Sequence, residues 1–167
     1  MRSSASWWAR RARRLGRHVA ARVDPVERAV LAEWLTPAQL ALFDAMPLTD
    51  RRHGLDVVAA LRAAGIHESD VQLAGLFHDA GKGRSIRLWH RVTWSLGERL
   101  GPWVRHLAVI RPGGGDAMAR LRDHAERSAE LAAAVGCLAR TVALIRGDGE
   151  RGGADFLAAL HAADEAT

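Results

Sequence analysis

The chain has no tyrosine, no asparagine and one cysteine, Cys137, and of its 24 basic residues only Lys82 is a lysine. A single thiol excludes a disulfide framework and fits a reducing compartment, so a cytoplasmic setting is expected. No apolar run reaches the roughly 18 residues that a membrane-spanning helix needs. The N-terminus also lacks an apolar stretch followed by a small-residue cleavage site, so neither a transmembrane span nor a cleaved signal is expected. Arginine in place of lysine, with abundant alanine, resembles the bias of a high-GC genome. That weakens the sequence pI of about 11.0 as a sign of nucleic-acid binding.

What is present suits one domain, since 167 residues at 49% hydrophobic composition can bury a core without disulfides. The net charge of +5 is unevenly spread. Residues 1–22 hold seven arginines and no acid, and residues 82–122 hold nine basic groups against Glu98 and Asp116. Residues 23–81 and 123–167 are acidic, with nine and eight carboxylates against four basic groups each. The first block sets Trp7 and Trp8 among arginines. As a helix it would be a basic amphipath for weak contact with an anionic membrane surface or RNA; otherwise it is a loosely docked arm. Residues 23–167 are expected to form the domain.

Helix signals recur along that domain. Asp24-Pro25-Val26-Glu27 and Thr36-Pro37-Ala38-Gln39 each read as a capping box with a first-turn proline, predicting helices to Trp34 or Leu35 and to Met46. Thr49 or Asp50 can cap a third helix that Gly65 ends. Between residues 84 and 122 the pattern blurs: Arg87–Trp94 reads as helical, its tryptophans covering the core or forming a lid, and Pro112–Gly115 reads as loop. Asp123 with Glu126 suggests another capping box, opening a helix to Val135 with His124, Ser128, Leu131 and Val135 on one face. A helix over 138–146 follows, then a charged glycine-rich loop over 147–153, then a last helix from Ala154 carrying Leu157, Leu160, His161 and Asp164 along one side.

The chemistry is concentrated in Val71–Gly83, where an apolar helix runs into His78, Asp79 and Lys82. Val71, Ala74, Gly75 and His78 share a helix face, and Gly81 reads as the left-handed stop. Buried polar groups at a helix end cost several kcal/mol unless satisfied, and a divalent cation would satisfy both His78 and Asp79; a hydrogen-bonded core histidine beside a solvated aspartate is the alternative. On the third helix His53 shares a face with Val57, Ala60, Leu61 and Ala64, as a core histidine or a ligand. The short connection from Gly65 to Asp70 makes these helices antiparallel neighbours and can bring His53 near His78. Asp164 sits anomalously on an apolar stripe, or is solvated near the chain end.

Taken together, His53, His78-Asp79 and Asp164 resemble the H…HD…D pattern of the HD-domain metal-dependent phosphohydrolases, and His-Asp-Ala-Gly-Lys-Gly matches that family's HDxGK run. The resemblance covers roughly residues 36–167. It implies an all-α, compact helical bundle in which His53, His78, Asp79 and Asp164 converge on one divalent ion: Mn, Fe, Zn, Ni, Co or Mg. It further implies hydrolysis of a nucleotide-like phosphate mono- or diester, with Asp79 orienting or deprotonating water and Lys82 meeting phosphoryl charge. Arg52 is a second phosphate candidate. His124 matches the first histidine of a further metal site in some relatives, and counts here as a substrate-side group. Where those relatives carry a His-His pair this chain has Gly147-Asp148, and no Gly-Tyr-Pro signature is possible without tyrosine. The other reading is a degenerate HD domain that binds a nucleotide or protein partner without turnover.

Overall fold

A computed structural model describes residues 21–83, 101 and 114–167, and among them all regular structure is helical. Nearly all of the basic arm and the tryptophan-bearing stretch 87–94 lie outside the described residues.

Both proline-led capping boxes form. Helix α1, Pro25–Trp34, starts where Asp24 accepts the Val26 N–H at 2.7 Å and Glu27 accepts the Asp24 N–H at 3.0 Å. Helix α2, Pro37–Ala45, repeats the device through Thr36 and Gln39. Each cap contributes on the order of 1 kcal/mol.

Helix α3, Leu48–Ala63, begins earlier than its expected caps. Pro47 precedes it, Thr49 lies inside it, and Asp50 is buried in its first turn, where a carboxylate faces the positive end of the helix dipole. Gly65 takes a left-handed φ of 82° just beyond it.

Helix α4, Ser69–Phe77, is the centre of the bundle. Every residue from Asp70 to Phe77 is buried, so the single face inferred from periodicity is too narrow a description. Helices α3, α6 (His124–Ala134), α7 (Ala139–Arg146) and α9 (Ala154–Ala166) all pack on α4. Its apolar residues lie all round, as suits such a position, and the buried Asp70 and Gln72 near its start are paired with Arg140 and Arg62. Fully burying side chains such as Leu76 and Phe77 contributes about 1.5–3 kcal/mol each.

Two glycines set how closely α3 and α4 cross. A Cβ on Gly54 would lie 2.6 Å from the Leu76 carbonyl oxygen, and one on Gly75 would lie 2.9 Å from Leu61 Cδ1. The crossing therefore sits one residue from His53 and three from His78.

Other expectations are corrected. Gly114 and Gly115 open helix α5, Gly114–Arg122, instead of extending a loop. The box at Asp123 does not form, because Asp123 pairs with Arg122 and Glu126 with Arg146. The inward face of α6 is Ser128, Ala129 and Ala132, while Leu131 is exposed. The charged loop contains a turn of helix, α8, Gly149–Gly152, capped by the Asp148 carboxylate. On α9, Leu160 is buried but His161 is exposed, so the stripe does not include that histidine.

Candidate metal centre

The close crossing of α3 and α4 brings the rings of His53 and His78 to a 5.1 Å centroid separation. His78 caps the end of α4, and its Nδ1 donates to the Gly75 carbonyl at 2.9 Å. That bond fixes the tautomer and leaves Nε2 carrying the lone pair. Among the described residues Nε2 is buried without a hydrogen-bond partner, 3.5 Å from Asp79 Oδ1 and 3.6 Å from Asp164 Oδ1. One ligand atom each from His53, His78 and Asp79 lies within 4.8 Å of the others. Helix α9 adds Asp164, whose Oδ1 is 2.8 Å from His53 Nε2.

After Asp79 the chain tightens into a single 3-10 turn, Ala80–Lys82. Gly81 does not take the left-handed conformation expected of it; Gly83 has the positive φ, 68°, but with ψ 174° it is extended rather than helical. Gly81 is needed for closeness instead. A Cβ there would lie 2.5 Å from the His124 carbonyl oxygen and 2.6 Å from the Ser128 nitrogen. The turn is thereby pressed against the start of α6, and the Gly81 N–H donates to Ser128 Oγ at 2.8 Å. This contact delivers His124, whose Nδ1 is held by the Leu121 carbonyl at 2.7 Å and whose Nε2 is 3.9 Å from Asp79 Oδ1.

Asp79 is almost fully buried, and Lys82 Nζ donates to its Oδ2. Burial works against the carboxylate, yet the nearby charges of Lys82, His78 and His53 hold its pKa well below the ordinary value. For Asp164 burial is likewise outweighed, here by the hydrogen bond with His53 and by the nearby His78 imidazole, which hold the carboxyl far down. Burial opposes charging of His78, but Asp79 and Asp164 prevail and raise it. These directions share one cause: two carboxylates facing imidazoles ask for positive charge between them.

Arg52 is arranged differently. Its guanidinium donates to both Glu27 oxygens at 2.8 Å and to Asp56 at 3.0 Å, tying α1 to α3. Where a second histidine pair would be needed, Gly147 ends α7 at φ 80° and Asp148 caps α8. Sequence reasoning overlooked Gly54, and it placed Ser128 on a face with His124 without giving it a role; both set the approach of the site's elements. A glycine adjoining a candidate ligand was the one signal available for the first, and for the second the shared face with His124 was the signal.

Family models, curated proteins and solved structures were each compared with the chain, and none matched.

Proposed function

We propose that the protein is a metal-dependent phosphohydrolase of the HD-domain type, with His53, His78, Asp79 and Asp164 holding one divalent cation. The observation that carries this reading is the buried His78 Nε2, which lacks a hydrogen-bond partner and lies between two carboxylate oxygens. A lone pair so placed is costly unless a proton or a cation intervenes. Two imidazoles and two carboxylates form a donor set that suits Mn, Fe, Zn, Ni or Co, and Mg less well. When bound, such an ion lowers the pKa of water and polarises a phosphoryl oxygen.

The chain's own groups supply the remainder. Asp79, held ionised by Lys82, is a poor proton acceptor near neutral pH, so its role is to hold and orient. Lys82 can meet negative charge growing on a phosphoryl group while keeping contact with Oδ2 of Asp79. His124 Nε2, with its Nδ1 proton pinned by the Leu121 carbonyl, faces the site as a hydrogen-bond acceptor on the substrate side. The substrate class is a phosphate ester, including nucleotides, and residues 1–22 remain a separate candidate for anionic surfaces.

Purified protein loaded in turn with Mn, Fe, Zn, Ni, Co and Mg, then given a panel of phosphate esters, tests the reading. Turnover by the wild type that vanishes in Asp79→Ala is expected. A chain that binds metal and esters yet hydrolyses none across the panel would instead be a binding domain.

A further inference from the structure

Arg120 lies in the last turn of α5, half-buried, on a helix that packs against the Ala80–Lys82 turn. Its Nη1 is 3.8 Å from the position a Cβ on Gly83 would occupy. Arg122 on the same helix is paired with Asp123, whereas no described carboxylate lies within ion-pair distance of Arg120. A guanidinium that meets no described carboxylate has its planar fork of donors uncommitted among the described residues, and such a fork is suited to the oxygens of a phosphate. Gly83, with φ 68° and ψ 174°, is in a region open essentially to glycine, so the backbone stays bare on the side where Arg120 approaches.

Charge decides what this cation is for. With the proposed divalent ion in place, Asp79, Asp164 and Lys82 leave one positive charge in excess, enough for the single charge of a phosphodiester. Arg120 adds a second, which matches the two charges that a phosphate monoester carries above its second pKa of about 6. We infer that Arg120 is a specificity-determining residue that selects phosphate monoester dianions over diesters. The inference rests on the metal-dependent phosphohydrolase reading and narrows it.

The test uses binding, so that it does not depend on turnover. Manganese-loaded wild type, Arg120→Gln and Arg120→Lys are titrated calorimetrically with inorganic phosphate and with dimethyl phosphate at about pH 8, with metal content measured alongside. Wild type is expected to hold inorganic phosphate roughly tenfold more tightly than dimethyl phosphate. Arg120→Gln should lose about tenfold on the former, on the order of one charge-assisted contact, and less than about twofold on the latter. Arg120→Lys keeps the charge and should retain most of the preference; should the glutamine variant not fold, Arg120→Met, uncharged and of similar length, is titrated in its place with the same losses expected. Equal losses on both anions, or no preference in the wild type, would overturn the inference while leaving the metal site standing. A wild type that keeps none of manganese, iron, zinc, nickel or cobalt, each offered in turn, would instead sink the phosphohydrolase reading itself, and this inference with it.

Discussion

The Gly81 N–H donates to Ser128 Oγ across 2.8 Å, joining the turn after the His-Asp pair to the helix that brings in His124. Both groups are buried, so the bond and the bare Cα that permits it are positional requirements. Gly81→Ala forces a methyl into backbone of α6 and should lower stability by about 1–3 kcal/mol or more. Ser128→Ala, leaving the amide without its partner, should cost about 1–3 kcal/mol. Thermal and urea melts of the two variants check this. Near-wild-type stability of Gly81→Ala would mean the turn and α6 are not held so closely.

Much of this arrangement was legible in the chain and some was not. The caps at Asp24 and Thr36 were readable because proline and the reciprocal Glu27 or Gln39 act within four residues. Asp123 and Glu126 have the same spacing, but Arg122 and Arg146 claim their carboxylates, and Arg146 is remote in sequence. Gly81 was assigned a conformational role because a glycine after a helix is usually a stop. Its actual role depends on α6, more than 40 residues away. Of the candidate ligands, His53 and His78 were visible through periodicity, whereas the meeting of Asp164 with His53 depends on how α9 crosses α3.

Lys82 tests the electrostatic side of the proposal. It is largely shielded and donates to Asp79, which disagrees with a solvated residue at a helix end. Lys82→Arg replaces a compact charge with a planar fork that fits the same pocket differently. Turnover of the best ester should fall by roughly 10² with metal content unchanged. An unchanged rate would remove Lys82 from the mechanism.

Asp70 gives a pH prediction away from the metal centre. Its carboxylate pairs with the Arg140 guanidinium, and the Asp70 carbonyl accepts from Thr141 Oγ1, linking α4 to α7. The Arg140 hydrogen bonds lower the Asp70 pKa against the effect of burial. A carboxyl lowered in the folded state stabilises above its unfolded pKa, near 3.9, and that contribution fades as pH falls through the folded value. Asp70→Asn should therefore be less stable than wild type at pH 7, with the gap narrowing progressively below about pH 4. Denaturation curves at several pH values measure it, and a gap independent of pH would show that the ion pair contributes nothing.

The central claim is that His78 Nε2 binds a metal ion, and metal content tests it most directly. Wild type and His78→Gln are stripped with chelator, reloaded with manganese or zinc, freed of loose ion by dialysis, and assayed by elemental analysis. About one ion per chain is expected in the wild type, with most of it lost from His78→Gln while the helical signal persists. A wild type that retains none of the ions offered, or a His78→Gln protein that retains as much as wild type, would contradict the assignment.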